Sequence, residues 1–124
     1  MNYRKLGNSG LEVSVIGLGA NNFGGRLDYE SSDSVISQLF EVGINLIDTS
    51  NSYGNTLSEE YIGRSLEGRR EKAVIATKVS SRMSEGPNQA GNSRKHIIEQ
   101  VENSLTRLRT NYIDLYQIHW WDST

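Results

Sequence analysis

Short apolar runs alternate along the chain with longer stretches in which apolar residues recur at helical spacing. The apolar runs predict four strands, at residues 15–19, 45–48, 73–78 and 113–119. The stretches between them predict three helices, over about 32–42, from Thr56 to Gly68, and from about Ser93 to Leu108. Alternation of strands and helices is typical of βα units that build a parallel sheet.

Polar residues and glycines mark the predicted helix ends. Ser31 or Ser32 can cap the first helix, and Gly43 can end it in a left-handed conformation. Thr56 and Glu59 have the spacing of a capping box at the start of the second helix. The polar stretch over 80–92 holds the single proline of the chain. A stretch of this length without periodicity predicts a lid, a binding loop or a disordered segment.

The order of the elements predicts an α/β fold, the N-terminal half of a TIM-type (β/α)8 barrel. A hairpin with strands at 3–6 and 11–13 precedes the first strand of the sheet. A complete barrel takes about 250 residues, so residues 1–124 are expected to form a single partial domain. The alternative is a small open doubly wound sheet, which would lack a helix after its last strand. Asn22 stands where the fingerprint G-x-G-x-x-G has its third glycine, which weakens a Rossmann interpretation.

Composition and charge add no element to the predicted fold, but they exclude several classes of function. Thirteen Lys and Arg residues against fifteen Asp and Glu residues leave a net charge of −2. That balance argues against a nucleic-acid surface or a polybasic membrane anchor. The absence of cysteine excludes disulfides, cysteine-ligated zinc and a thiol nucleophile. No apolar run reaches the ~18 residues of a membrane span, and no apolar region typical of a secretory signal follows the N-terminus. We therefore expect a cytoplasmic protein with neither nucleic-acid nor membrane partners.

Four ionisable residues lie at or just beyond the ends of the predicted strands. Asp48 ends the second strand, Tyr53 follows five residues later, Lys78 ends the third strand and His119 ends the fourth. Each has an ordinary structural explanation when taken alone, as a loop cap, a surface residue or a core histidine. Together they favour function, because the C-terminal ends of parallel strands meet at one edge of the sheet.

These four residue types suit acid–base chemistry on a carbonyl and alcohol pair. A tyrosine hydroxyl ordinarily ionises near pH 10, and a neighbouring ammonium favours its phenolate. A carboxylate can hold that ammonium in place, and a histidine can hydrogen-bond and orient a carbonyl oxygen. None of these groups supplies a hydride, so the chemistry requires a nicotinamide cofactor.

The chain contains a series of short motifs that resemble those of a known protein family. The hairpin Tyr3–Ser14 is followed by a series of short motifs at Gly17–Gly19, Ile47–Ser50, Tyr53–Gly54, Ser58–Glu59, Ile75–Lys78, Leu105–Leu108 and Tyr112–His119. In these motifs the chain resembles the aldo-keto reductases, in particular the bacterial branch that is similar to potassium-channel β-subunits.

The resemblance implies a (β/α)8 barrel that transfers hydride from NADPH to a small aldehyde or ketone. The family's tetrad falls on Asp48, Tyr53, Lys78 and His119. Tyr53 is then the proton donor, Lys78 favours its phenolate, Asp48 pairs with Lys78, and His119 orients the carbonyl. The resemblance also implies that Gly19, Ala20, Asn21 and Asp48 contact the cofactor.

The family's barrel continues for four further strands, which carry most of its cofactor site. We therefore expect a fragment that binds NADPH weakly or not at all and is inactive by itself. Such a fragment should self-associate or be complemented by a C-terminal half, because its outer strands would lack neighbours. The alternative is a non-enzymatic half-barrel that acts as a structural or interaction module, or as a regulatory subunit.

A few further residues have weaker interpretations. Trp120 and Trp121 could line an apolar substrate pocket, and lid packing explains them equally well. His96 is expected to be a solvated residue of the first turn of its helix. The basic run at residues 69–72 is expected to be a solvated loop at the opposite end of the barrel. Asp114 is a charge inside a predicted strand, for which the sequence offers no firm account.

Overall fold

The computed structural model describes all residues, Met1–Thr124. Two short strands, β1 (Tyr3–Lys5) and β2 (Glu12–Ser14), form an antiparallel hairpin. The main sheet contains four parallel strands, β3 (Gly17–Gly19), β4 (Leu46–Asp48), β5 (Val74–Val79) and β6 (Leu115–Ile118). Three helices connect them, α1 (Tyr29–Glu41), α2 (Leu57–Ser65) and α3 (Arg94–Arg107), with a 3₁₀ turn at Arg70–Lys72 before β5. No helix has both the length and the apolar character needed to cross a membrane.

The strands of the main sheet lie side by side in the order in which they occur in the chain, β3-β4-β5-β6. A doubly wound sheet reverses its strand order at a switch point, whereas the strands of a barrel are added one after another. The observed order therefore confirms the α/β prediction and favours the barrel over the doubly wound alternative. Strands β3 and β6 each have one neighbour only. The expected self-association or complementation at these edges stays a prediction.

Both outer strands are shorter than predicted. Val15 and Ile16 precede β3 and are exposed. The backbone N–H of Val15 donates to the Asn2 carbonyl at 3.0 Å, so these residues connect the hairpin to the sheet.

Asp114 lies before β6 and has a clear role, because its Oδ2 accepts from Ile75 N at 2.8 Å and from Arg70 Nη2 at 2.7 Å. It thus links β5, the start of β6 and the 3₁₀ turn.

The interpretation of residues 69–72 as a solvated loop is wrong for its two arginines. Arg70 binds Asp114, and Arg69 forms an ion pair with Asp33 of α1 at 3.1 Å. Both guanidinium groups are partly buried between elements that lie far apart in the chain. Lys72 alone is exposed as expected.

The predicted starts of α2 and α3 are confirmed in position, and that of α1 is wrong. Helix α1 begins earlier than Ser32, because Asp28 is its N-cap and accepts from Ser31 N at 2.9 Å. These hydrogen bonds lower the pKa of the Asp28 carboxyl. Thr56 has a left-handed backbone, with φ of 78°, and makes no capping bond, so the predicted capping box does not form. For α3, Ser93 is the N-cap as predicted.

Glycines follow the first two helices. Gly43 follows α1 with φ of 81°, as predicted. Helix α2 ends at Ser65, before the predicted Gly68, which takes φ of 73° in the turn that follows. Both glycines adopt the left-handed conformation that is common just after helices.

The apolar core lies between the helices and one face of the sheet. Its fully buried side chains come from every layer: Phe23, Ile36, Ile47, Ile62, Ile75 and Leu108. Successive side chains of a strand point to opposite faces, and the opposite face of this sheet has no helix layer. At its edge Ile118 of β6 is exposed.

Helix α3 turns a polar stripe toward the protein interior. His96, Gln100 and Ser104 recur every fourth residue and are all buried, whereas Ile98 is exposed. The interpretation of His96 as a solvated residue is therefore wrong. The buried stripe has polar neighbours, since the Gln100 side-chain oxygen accepts from Asn51 Nδ2 at 3.3 Å.

Glu59 of α2 is fully buried and joins three elements. Its Oε2 accepts from Arg107 Nε of α3 at 2.7 Å, and its Oε1 accepts from the Thr77 hydroxyl of β5 at 2.6 Å. Tyr116 of β6 lies near the same carboxylate. Burial, followed by the charge of Glu59, raises the pKa of Tyr116 to about 12.

The packing of α2 on α3 gives a prediction. A Cβ at Gly63 would lie 2.6 Å from the Leu108 carbonyl carbon and closer still to the Arg107 backbone oxygen. Alanine normally stabilises a helix interior relative to glycine. Here Gly63→Ala should instead lower the free energy of unfolding by about 1–3 kcal/mol, the usual cost of overpacking. Urea unfolding measures the change.

Gly10→Ala is the matched control, because no atom lies within 4 Å of the Cβ position at Gly10. It should leave the unfolding midpoint nearly unchanged. A Gly63→Ala variant as stable as the parent would show that the two helices do not approach as closely as described.

Candidate active site

The predicted strand-end residues come together at one edge of the sheet. Asp48 is the last residue of β4, Lys78 is the second-last residue of β5, and His119 directly follows β6. Tyr53 lies in the loop between β4 and α2. Because all four strands are parallel, their C-terminal ends share this edge, which is where barrel enzymes carry their active sites.

The Lys78 ammonium is the centre of the group. Its Nζ donates to Asp48 Oδ2 at 2.7 Å, to the Thr49 carbonyl at 2.8 Å and to the Tyr53 hydroxyl at 3.4 Å. The Lys78 side chain is 12% exposed and that of Asp48 is 40% exposed. The ammonium is therefore largely shielded from water, and its three donors face one carboxylate, one carbonyl and one phenol.

His119 completes the group on the side of β6. Its ring meets the Tyr53 ring edge to face, with centroids 5.7 Å apart and planes at 82°. Its Nδ1 lies 3.2 Å from the Ser50 hydroxyl. Burial and the neighbouring Lys78 charge lower the pKa of His119, while Asp48 acts in the opposite direction. The neutral imidazole is thus favoured near pH 7.

Backbone hydrogen bonds to its own loop and to the first turn of α2 hold Tyr53 in place. The Tyr53 N–H donates to the Ser50 carbonyl at 3.2 Å, and the Tyr53 carbonyl accepts from Ser58 N at 3.2 Å. The next residue, Gly54, has φ of 58°, and a Cβ there would collide with the Phe23 carbonyl. The glycine therefore lets the Tyr53 loop pack directly against the loop that follows β3.

Ser80 holds the backbone of His119. Its hydroxyl accepts from His119 N at 3.2 Å and donates to Asn92 Oδ1 at 2.5 Å. Asn92 in turn donates to the Trp120 carbonyl at 2.9 Å and, through its backbone N–H, to Asp122 Oδ2 at 2.7 Å. The polar stretch over 80–92 is thus anchored to the segment that follows β6.

Of the residues predicted to contact a cofactor, Asp48 binds Lys78, and the other three lie at the end of β3 or directly after it. Gly19 pairs with Asp48 in the sheet register, and Gly19 and Asn21 are exposed. Ala20 is fully buried, and its N–H donates to the Asp48 carbonyl at 2.8 Å. Its carbonyl accepts from Phe23 N at 3.1 Å and from the Ser58 hydroxyl at 2.9 Å, so neither the side chain nor the backbone of Ala20 is open to a ligand, contrary to its predicted cofactor contact.

The two tryptophans occupy different positions. The Trp120 ring stacks on the His119 ring, with centroids 4.6 Å apart and planes at 8°, and its indole N–H donates to the Ser81 hydroxyl at 3.2 Å. Trp121 is 93% exposed. Both line a groove of about 370 Å³ between the anchored loop and the C-terminal segment. The four strand-end residues line none of the surface depressions and lie on an open face.

The sequence interpretation missed Ser50 and Ser80, which both contact His119. Each lies just beyond a strand, in the same position along the fold as the residues that were identified. Their signal in the sequence is a polar residue within two positions of a strand end. Ionisable character does not select them, because a serine hydroxyl does not ionise near pH 7.

Comparison with known proteins agrees with this arrangement. The model of the family described as "Aldo/keto reductase family" matches residues 15–124. The chain belongs to the aldo/keto reductase family.

Individual members of the family are similar over nearly the whole chain. The chain is 40% identical to aldo-keto reductase YhdN of Bacillus subtilis over 98% of its own length and 39% of that protein's length. It is 38% identical to a probable voltage-gated potassium channel subunit beta of Oryza sativa, covering all of this chain and 39% of that protein. The chain thus spans about two fifths of the length of these relatives.

A solved structure of the family confirms the fold. The holo form of aldo-keto reductase AKR11C1 from Bacillus halodurans superposes with a TM-score of 0.86 at 39% identity, over 95% of this chain and 40% of that one. The sheet and helices described above therefore correspond to part of the family's TIM-type barrel.

The charges around His119 give a prediction. Lys78→Met should raise the pKa of His119, because it removes a nearby positive charge. Asp48→Asn should lower that pKa further, because it removes the compensating negative charge. An NMR titration of the histidine ring protons measures both changes. The chain has two histidines, and His119→Gln identifies the His119 signals by their loss.

The control is Lys5→Met, which removes an exposed lysine of the hairpin and should leave the His119 midpoint unchanged. Shifts in the same direction for Lys78→Met and Asp48→Asn would contradict the electrostatic account.

Proposed function

We propose that this chain carries the acid–base groups of an NADP-dependent enzyme that reduces aldehydes or ketones to alcohols. The supporting observation is that Lys78 Nζ contacts both the Asp48 carboxylate and the Tyr53 hydroxyl, at 2.7 and 3.4 Å. A carbonyl that receives a hydride also needs a proton on its oxygen. A tyrosine hydroxyl is a competent donor only where its phenolate is stabilised, and an adjacent ammonium provides that stabilisation.

Each of the four groups has a distinct part in this proposal. Tyr53 gives its hydroxyl proton to the carbonyl oxygen of the substrate. Lys78 stabilises the resulting phenolate, and Asp48 keeps the ammonium charged and in position. His119 donates a hydrogen bond to the same carbonyl oxygen and thereby orients the substrate. The edge contact between the Tyr53 and His119 rings supports their acting on the same carbonyl oxygen.

The residues present fit the nicotinamide end of the cofactor. Gly19 is exposed, has open space where a Cβ would lie, and pairs with Asp48, whose carboxylate binds the Lys78 ammonium. Gly19, Asn21 and Asp48 would hold the cofactor there, whereas Ala20 is buried behind them. NADPH, when bound, supplies the hydride that no side chain of this site can supply.

Trp121 is proposed to contact the apolar part of a small carbonyl substrate. It is the more exposed of the two tryptophans and borders the groove beside His119. Trp120 has less surface to offer, because one face of its ring is stacked on His119.

The proposal is tested in a full-length barrel, with residues 1–124 grafted in place of the matched segment of the B. subtilis relative. Tyr53→Phe should lower kcat for an aldehyde by about 10²–10⁴, because the substrate loses its proton donor. The Kd for NADPH should change little. Tyr61→Phe is the matched control, since it removes a hydroxyl from α2, outside the site, and should keep the parent's kcat. Near-parental turnover by Tyr53→Phe would refute the assignment of the proton donor.

A second prediction concerns the 124 residues by themselves. They cover about two fifths of their relatives, and Asp48, Tyr53, Lys78 and His119 lie on an open face. Hydride transfer requires the cofactor and the carbonyl to be held near contact distance, so the chain alone should oxidise NADPH with an aldehyde no faster than its Tyr53→Phe variant. Turnover clearly above that background would contradict this expectation. The non-enzymatic alternative gains support only if the grafted barrel is also inactive.

A further inference from the structure

The Ser50 hydroxyl is buried in contact with the imidazole of His119. Ser50 lies two residues beyond β4 and is fully buried. Its Oγ lies 3.2 Å from His119 Nδ1, 3.1 Å from Ser52 Oγ and 3.5 Å from Asn51 Oδ1, and it accepts from Ser52 N at 3.3 Å. The hydroxyl has a single proton, so it can donate to only one of these partners.

The valences of the hydroxyl allow it to donate to Nδ1. A serine hydroxyl offers one proton and two lone pairs. The Ser52 N–H occupies one lone pair. The Ser52 hydroxyl can donate into the second lone pair, which leaves the Ser50 proton for Nδ1. This assignment leaves out only Asn51 Oδ1, which lies at the limiting distance of 3.5 Å. The reverse assignment, in which Nδ1–H donates to Ser50 Oγ and Ser50 donates to Ser52 Oγ, uses the same contacts and leaves Nε2 without a proton. The ¹⁵N measurement below distinguishes the two.

The other nitrogen of the ring is free. His119 Nε2 makes no hydrogen bond within the chain, whereas the ring is held by the Trp120 stack and by the edge of Tyr53. A neutral imidazole has one donor and one acceptor nitrogen. If Nδ1 accepts from Ser50, the ring proton lies on Nε2.

We propose that Ser50, supported by Ser52, is a positioning residue that keeps His119 in the neutral tautomer with its proton on Nε2. Nε2 is then a hydrogen-bond donor for the carbonyl oxygen. In the other tautomer Nε2 would present a lone pair to that oxygen and repel it. The positioning of the ring stands on the contacts of Ser50, and the choice of tautomer and its catalytic consequence rest on the proposed carbonyl reduction.

The tautomer is measured directly in the 124-residue chain labelled with ¹⁵N in its histidine rings. Protonated and unprotonated imidazole nitrogens have well-separated ¹⁵N shifts, and His119→Gln identifies the resonances. Above the pKa of His119, the parent should show a protonated Nε2 and a hydrogen-bonded, unprotonated Nδ1. A protonated Nδ1 in the parent would overturn the proposal without any further variant.

Ser50→Ala should move both ¹⁵N shifts of His119 toward those of a tautomer mixture, and Ser52→Ala should move them in the same direction by less. Ser84→Ala, in the exposed part of the loop over 80–92, is the control and should leave them unchanged. Backbone amide spectra establish that each variant is folded, and Ser50→Cys, which keeps a weak donor of similar size, replaces Ser50→Ala if that variant unfolds. Unchanged His119 shifts in a folded Ser50 variant would overturn the proposal.

The grafted barrel separates this inference from the proposed function. Ser50→Ala should lower kcat for an aldehyde on the order of tenfold, as expected for the loss of one hydrogen bond of typical strength, with the Kd for NADPH unchanged. If Tyr53→Phe is inactive and Ser50→Ala retains full activity, the positioning role fails and the proposed function stands. If Tyr53→Phe retains activity, the proposed function fails and the ¹⁵N shifts alone judge the tautomer.

Discussion

The buried carboxylate of Glu59 ties together the elements on which the candidate site depends. It receives hydrogen bonds from Arg107 of α3 and Thr77 of β5, so α2, α3 and β5 meet at one point. Successive residues of a strand face opposite sides of the sheet. Because Thr77 is held toward the helices, the next residue, Lys78, projects to the open side, where it meets Asp48 and Tyr53. Removing one partner of such a buried pair is costly, because the other charge stays buried without compensation.

A second set of interactions acts on the backbone at the same edge of the sheet. The Ser80 hydroxyl accepts from the backbone N–H groups of His119 and Trp120, at 3.2 and 3.4 Å. The His119 N–H also lies 2.8 Å from the Val79 carbonyl, which continues the pairing of β5 with β6. The position of His119 thus depends on the strand beside it as well as on its own strand. This explains how a residue beyond the end of β6 can have a defined ring orientation.

The sequence predicted the parts of this arrangement that follow from periodicity. Asp48, Lys78 and His119 were recognised because apolar runs locate the strands, and parallel strands bring their ends together. Glu59 was misassigned as a helix cap, because its spacing from Thr56 fits a capping box. Its actual partner, Arg107, lies 48 residues away, and local spacing carries no information about that contact. The burial of His96 was missed for a related reason, since the inward face of α3 is lined by polar residues and the apolar pattern points elsewhere.

The anchoring of the loop over 80–92 has an evolutionary consequence. Its two ends are held by Ser80 and Asn92, whereas most residues between them are exposed and pack against little else. Surface loops tolerate changes of length and sequence when their ends are fixed. New side chains can therefore arise beside the His119 and Trp120 rings without disturbing the charged groups at the strand ends. The loop over 80–92 can therefore change specificity during evolution, whereas the charged groups at the strand ends are held by many contacts.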